Sequence, residues 1–407
     1  MVACRAAPLG EFLAFLFTLR MTLPEAPVGI SLHRAVFYHS MKFDRLHNLM
    51  QQAAAAGVFP GGVLLVSRRG VIEDLFACGV GNRITKRPVT AETVFDLASL
   101  TKPLATALAV MVLVADGRLS LGQPLASLLG VFKGTDKAAI TVRQLLNHTS
   151  GLPDYRPYYT ELVRVPHELR RQALLRAIAR TPLAHGIGQA ELYSDLGFMV
   201  LGEAVETISG KRLDRLVGEA VYAPLGLNDG GPPLCFIDHA APTMLSDVAA
   251  TEFCSWRQCL LEGVVHDENA FALGGIAGHA GLFGSARAIH TLIAALWKAF
   301  RGDSPEGILP VEVVQNFLRR GEKGERPLGF DTPSKTGSSS GRYFTSTTVG
   351  HLGFTGTSFW LDLQQAIGVI LLTNRVHPRR TNERIKTFRP KLHDAVMNVL
   401  RTHPEAG

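Results

Sequence analysis

The sequence predicts an α/β (α+β) fold, an antiparallel sheet flanked by helices and built from both chain ends, with an all-helical domain inserted between them. Three observations carry that prediction. Near the start, Gly61-Gly62 leads into Val63-Leu-Leu-Val66, and Arg69-Gly70 then turns into the run Val71 to Val80, the pattern of an antiparallel hairpin. Near the end, Phe359, Leu361 and Leu363 alternate with Trp360 and Asp362, and the continuous run Ile367 to Leu372 follows. That pair reads as one half-exposed strand and one buried on both faces. Between the two hairpins the signals are mostly helical, so an active site belongs in the cleft where sheet and helices meet.

Residues 1–40 show no clean periodicity and read as a poorly ordered extension or an overlong start. Arg5 and the run Phe12 to Phe17 faintly resemble a leader, but Glu11 abuts the apolar part and no small-residue cleavage pattern follows. From Met41 the spacing of Phe43, Leu46, Met50 and Ala54 is helical. Residues 41–103 and 335–407 are expected to form the sheet domain, and 104–334 the mainly helical one. Leu104 to Ala115, flanked by Lys102 and Asp116, falls short of the ~18 apolar residues of a membrane span and reads as a buried helix. Thr141-Val-Arg-Gln144 is a capping box before Leu145-Leu146. Leu196, Met199, Val200, Ala204 and Ile208 form one apolar stripe, and Ala286 to Phe300 another. Gly226 to Pro233 and Arg326 to Gly341 are connections. A helix from about Arg379 to Leu400, interrupted near Pro390, closes the chain.

The 407 residues are 46% hydrophobic and 19% charged, which excludes disordered, collagen-like and coiled-coil classes. The net charge of +7 permits an anionic partner without requiring one. Most of it is local: residues 375–407 hold eight basic against three acidic side chains. The basic balance therefore reads as a solvated face of the closing helix and its approach rather than a field over the cleft. Only Phe388 accompanies the basic run from Arg379 to Lys391, too little for a base-stacking platform, so no nucleic acid is expected. Cys4, Cys78, Cys235, Cys254 and Cys259 contain no C-x-x-C and read mostly as buried free thiols. Together with the weak leader they lean toward a cytoplasmic protein. The oligomeric state stays open.

The sharpest local feature is Phe95-Asp-Leu-Ala-Ser99-Leu-Thr-Lys102-Pro103. At i,i+3 on a helix, the Lys102 amine reaches the Ser99 hydroxyl. A serine hydroxyl is a poor nucleophile until a base takes its proton, and a desolvated lysine can do so. Free N–H groups at a helix start would assist a developing oxyanion. Alone, the pair is a common chance match, an N-cap serine beside a solvated lysine.

The context changes that. Asp96 to Lys102, Leu145-Leu-Asn-His-Thr-Ser-Gly-Leu-Pro153, Tyr193-Ser-Asp195, Gly278-His-Ala-Gly-Leu-Phe283 and Gly350-His-Leu-Gly-Phe-Thr-Gly-Thr357 follow in one order. The succession closely resembles the serine β-lactamase-like superfamily, which includes class C β-lactamases, low-molecular-weight penicillin-binding DD-peptidases and family VIII carboxylesterases. It covers residues 43 to 400. The resemblance implies a β-lactamase/transpeptidase-like fold, with Ser99 as the acylated nucleophile, Lys102 as its proton partner and Tyr193 as a proton shuttle.

The family's third element, Lys-Thr-Gly or a variant, has two candidates. Lys335-Thr336-Gly337 matches literally but lies in a stretch without apolar alternation, whereas His351-Leu352-Gly353 leads directly into the terminal hairpin. Position relative to the strand favours His351. By that alignment the backbone N–H groups of Ser99 and Phe354 form the oxyanion hole, and Gly353 lets the substrate backbone approach. Gly337-Ser-Ser339-Ser-Gly341 imitates a nucleophile elbow but lacks the strand and helix such an elbow needs.

Two departures bear on substrate. Asp195 stands where the family has the Asn of Y-x-N, and His351 where it has the lysine. An ordinary histidine is mostly neutral at pH 7, and Asp195 adds negative charge and could hold Lys102 cationic, shifting the base role toward Tyr193. Both disfavour an anionic substrate, so the expected activity is acyl-enzyme hydrolysis of an uncharged ester or small amide. β-Lactamase or DD-peptidase activity is the alternative, and a catalytically silent ligand-binding homologue is the alternative from another class. No cofactor is expected: phosphate-loop and dinucleotide fingerprints are missing, and His266-Asp-Glu-Asn269 with His279 lacks metal-ligand spacing. His148 and His279 are expected to order cleft loops through hydrogen bonds.

Overall fold

The structure, a computed structural model, describes residues 32–402 apart from 229, 243–244, 304–307 and 322–324. Two compact units are distinguished, Met1–Asp44 and Arg45–Gly407. The described part of the first is helical from Leu32. Helix α1 (Leu32–Ala55) thus begins well before Met41. After Gly29 no Gly or Pro interrupts the chain until Gly57, and a helix continues until something stops it. Residues 1–31, where the leader-like run and Cys4 fall, lie outside the described residues.

In the second unit β1 (Gly61–Arg68) and β2 (Val71–Gly79) form the first hairpin. A five-stranded antiparallel sheet runs β2-β1-β10-β9-β8, its other members coming from the far end of the chain. Before those strands come β3 (Phe95–Asp96), α2 (Leu108–Ala115), α3 (Val142–Leu146) and α4 (Asp195–Ser209). Next are β4 (Leu234–Phe236), β5 (Phe253–Cys254), β6 (Cys259–Leu260), β7 (Leu282–Gly284) and α5 (Ala286–Arg301). The chain closes with β8 (Thr348–Leu352), β9 (Ser358–Asp362), β10 (Ile367–Thr373) and α6 (Ile385–Thr402). A second, three-stranded sheet runs β3-β7-β4, and two of its strands, β4 and β7, lie in the segment expected to be helical. Its strands have two or three residues each, too short for alternation to register.

Local rules account for the main helices. Thr141 and Gln144 form the expected capping box on α3. Ser194 caps α4, which ends on left-handed Gly210, and Ser285 caps α5. Helix α5 packs on β1 and β10, closing one face of the large sheet.

Three expectations are corrected. Strand β9 is buried at every residue, not half exposed. It lies inside the sheet between β8 and β10, and buried Asp362 is satisfied by Thr345 and by the amides of Gln364 and Gln365. Helix α6 starts at Ile385 and runs through Pro390 without a break. The cysteines are mostly not buried: Cys254 is, Cys78 and Cys235 are half-buried, and Cys259 is exposed on the short β5–β6 ribbon. The apolar helical stretch Ala98–Ala115 is long and apolar enough to cross a membrane, but 83% of it is buried in the protein, as befits a core helix.

Candidate active site

Strand β3 delivers the chain to Asp96, whose Oδ1 accepts the Ala98 amide at 2.8 Å and whose Oδ2 accepts the His266 amide at 2.6 Å. Ala98 is bent into the left-handed region, φ 48°, a conformation that costs an L-residue about 1 kcal/mol or more and is found at functional turns. A 3₁₀ turn, Ala98–Leu100, follows, then a widened π-helical turn, Lys102–Ala107, before α2. Ser99 faces a cleft of about 710 Å³.

Lys102 is not the solvated residue an isolated match would suggest: it is 0% exposed. Its ammonium donates to Ser99 Oγ at 3.0 Å and to His279 O at 3.0 Å, and pairs with Asp195 Oδ1 at 2.7 Å. Burial alone would lower its pKa, but Asp195, helped by Tyr193, outweighs burial and holds it above the ordinary lysine value. Burial raises the Tyr193 phenol, and the neighbouring Lys102 charge only partly offsets that. At rest, therefore, Lys102 is cationic and Tyr193 is a neutral phenol.

Tyr193 and Asp195 stand at the start of α4, pinned by their neighbours. Ser194 donates its hydroxyl to Pro153 O at 2.6 Å and its amide to His148 Nδ1 at 3.1 Å, and the His148 ring lies 4.6 Å from that of Tyr193. Gly278 lets its segment press on α4, since a Cβ there would run into Phe198 O. The adjoining His279 carbonyl thereby reaches Lys102, while its ring pairs with Asp267 at 2.8 Å.

The opposite wall is β8. His351 lies on this strand and lines the cleft, whereas Lys335 is exposed in a loop and does not. Burial, then the Lys102 charge, brings the His351 imidazole down to about 3. Its Nδ1 faces Leu352 O at 2.9 Å, so the proton sits on Nδ1 and Nε2 is a lone-pair acceptor. After β8, the turn 353–357 is stitched to the segment that leads into Ser99. Thr355 Oγ1 donates to Asp96 O at 2.7 Å and Thr357 Oγ1 to Leu97 O at 3.1 Å. The Ser99 and Phe354 amides have no hydrogen-bond acceptor among the described residues. Gly353 lines the cleft and also serves packing: a Cβ there would strike Thr357 Oγ1 and Leu97 O.

The cleft also holds residues the sequence reading left outside. Arg375, Arg380, Lys386 and Arg389 line it, so the basic closing segment is not simply a solvated face. Arg380 is neutralised by Glu252 and Glu268, but Arg375 and Arg389 are only 6% exposed. The missed signal is positional. Arg389 shares the helical face of Ile385, Leu392 and Val396, and Arg375 comes just after a fully buried strand and buried Asn374. Phe354 is half exposed in the cleft, its ring between His266, at 5.5 Å, and Arg375, at 4.5 Å.

Known proteins match this arrangement. A family model described as Beta-lactamase fits residues 46–390. An N-acetylmuramyl-L-alanine amidase of Bacillus subtilis (strain 168) is 31% identical over 372 residues, 84% of this chain and 82% of that one. A putative D-alanyl-D-alanine carboxypeptidase of Escherichia coli (strain K12) is 31% identical over 324 residues, 73% of each chain. Among solved structures, EstCE1, a hydrolase with promiscuous acyltransferase activity, superposes with a TM-score of 0.70 at 24% identity, over 89% of this chain and all of that one. With Ser99 facing the cleft beside a buried Lys102, between helices and antiparallel sheet, and a family match running through both, the chain belongs to the β-lactamase family and is a hydrolase of that fold.

Proposed function

We propose that this hydrolase works through an acyl-enzyme on Ser99 and acts on uncharged carboxylic esters or small amides. The observation that carries the substrate choice is His351. It occupies the wall where a carboxylated substrate would want a cation, yet it is held neutral and turns a lone pair to the cleft. Ser99 attacks the carbonyl, its proton leaves through Tyr193 and Lys102, and the Ser99 and Phe354 amides receive the oxyanion. On collapse the same proton pair protonates the leaving group, and water then releases the acyl group by the reverse path.

The test compares kcat/KM on a neutral p-nitrophenyl ester with that on nitrocefin. The ester is expected to win clearly, and His351→Lys is expected to raise activity on carboxylated substrates selectively. A preference of the wild type for nitrocefin overturns the choice. It would favour the second reading, a β-lactamase or DD-peptidase, which the buried cations Arg375 and Arg389, the family match and the names of the relatives support.

A pH dependence follows from the same charges. Lys102 and Tyr193 both titrate above their ordinary values, so the form able to accept the Ser99 proton is scarce at neutral pH. On a neutral ester kcat/KM is expected to climb about tenfold per pH unit through the neutral range. Asp195→Asn removes the carboxylate that raises Lys102, so its profile should shift to lower pH and its activity at pH 7 should rise. A flat wild-type profile between pH 6 and 9 would contradict this assignment of protons.

A further inference from the structure

Each amide of the proposed oxyanion hole belongs to a peptide unit whose carbonyl end is engaged from behind by a buried side chain. The Ala98–Ser99 unit ends in Ala98 O, which accepts the Thr101 hydroxyl at 2.6 Å. Thr101 is 0% exposed, and its hydroxyl oxygen accepts the Leu282 amide at 3.1 Å, which fixes its rotor. The Gly353–Phe354 unit ends in Gly353 O, which accepts Arg389 Nη2 at 3.3 Å; the same nitrogen donates to Thr357 O at 2.7 Å. Arg375 holds the next carbonyl, Phe354 O, through Nε at 2.8 Å and through Nη2. Among the described residues no carboxylate acts on Arg389. Burial and the like charge of Arg375 bring its guanidinium down to about 9, and its Nε is buried without an acceptor.

In a trans peptide the C=O and N–H point in opposite directions along one delocalised unit, so a donor on the oxygen strengthens the N–H as a donor. A buried positive charge behind the unit also attracts an anion in front of it, and does so more strongly where water is excluded. We infer that Thr101 and Arg389 are positioning residues of the oxyanion hole, holding and polarising the two peptide units whose N–H groups receive the tetrahedral anion. The inference rests on the acyl-enzyme reading above. It gives the cationic floor of the cleft a role compatible with an uncharged substrate: the charge serves an anion that exists only during the reaction.

The experiment uses the full chain and the variants Thr101→Val, Thr101→Ser, Arg389→Gln and Arg389→Lys, assayed on a p-nitrophenyl ester with urea unfolding in parallel. Thr101→Val and Arg389→Gln are each expected to lower kcat about three- to tenfold with KM changed less than about twofold. Thr101→Ser should restore kcat, and Arg389→Lys should lie between wild type and Arg389→Gln. A phenylboronic acid, which becomes a tetrahedral anion on the serine, should lose affinity by the same factor as kcat. Unchanged kcat and boronate affinity in folded variants overturn the inference. So does an Arg389→Gln effect confined to KM for carboxylated substrates, which would make Arg389 part of a substrate-anion site. If Arg389→Gln does not fold, the Thr101 pair decides alone. Failure of the underlying reading is separately visible, as absence of fluorophosphonate labelling at Ser99 in the wild type.

Discussion

Ser99→Ala is expected to lower kcat on any acyl substrate by about a hundred-thousandfold or more while leaving the fold intact. The loss is that large because the hydroxyl is the bond-forming atom, and no neighbouring group can replace it. Lys102 is cationic, Tyr193 is a neutral phenol and His351 is turned to its own backbone on one side. The stability cost is small, because Lys102 keeps Asp195 and His279 O when Ser99 Oγ is removed. A single lost hydrogen bond of this kind is worth about 1 kcal/mol. Steady-state kinetics, fluorophosphonate labelling followed by mass spectrometry, and a urea midpoint on the same sample check all three statements. A folded Ser99→Ala variant with near-wild-type turnover would mean that another nucleophile operates.

Lys102→Met has the second-largest expected effect, and it separates charge from volume. Methionine fills nearly the same space but leaves the Ser99 hydroxyl without its proton partner, so kcat should fall about a thousandfold or more. Unlike Ser99→Ala, it should also cost stability. The Asp195 carboxylate loses its partner, and breaking one side of a buried ion pair costs about 3 kcal/mol. The double variant Lys102→Met/Asp195→Asn removes the orphaned carboxylate. It should therefore recover stability relative to Lys102→Met without recovering activity, a coupling read directly from a double-mutant cycle of urea midpoints. Equal stability of the single and double variants would show that the pair contributes little to the folded state.

What was legible in the sequence follows the range of the physics. The hairpins, the α3 capping box and the α4 and α5 stripes are set by neighbours within a few residues, and they stand as their periodicity predicts. Ser99, Lys102, Tyr193, Asp195, His351, Gly353 and Phe354 all line or adjoin one cleft because their motifs travel together. The misreadings share a cause. Whether β9 is half exposed and where Arg389 points depend on segments distant in sequence that pack on them. Polarity was an unreliable guide there: Arg375 and Arg389 are buried because backbone carbonyls of the turn 353–357 accept their protons, an environment no local pattern announces. Thr101 was hidden within its own motif, between two residues whose chemistry drew the reading.

The stitching of the turn 353–357 to the nucleophile segment has a consequence for biosynthesis. Thr355 reaches Asp96 across 259 positions of chain. A ribosome delivers Ser99 and Lys102 well before Phe354, whose amide is the second donor of the proposed oxyanion hole. Until β8, β9 and β10 add to the sheet begun by β1 and β2, the segment carrying Ser99 lacks the Thr355 and Thr357 contacts that hold it. Chemical competence thereby waits on the sheet: a chain that stops before β8 carries Ser99 without the second amide of the proposed anion cradle.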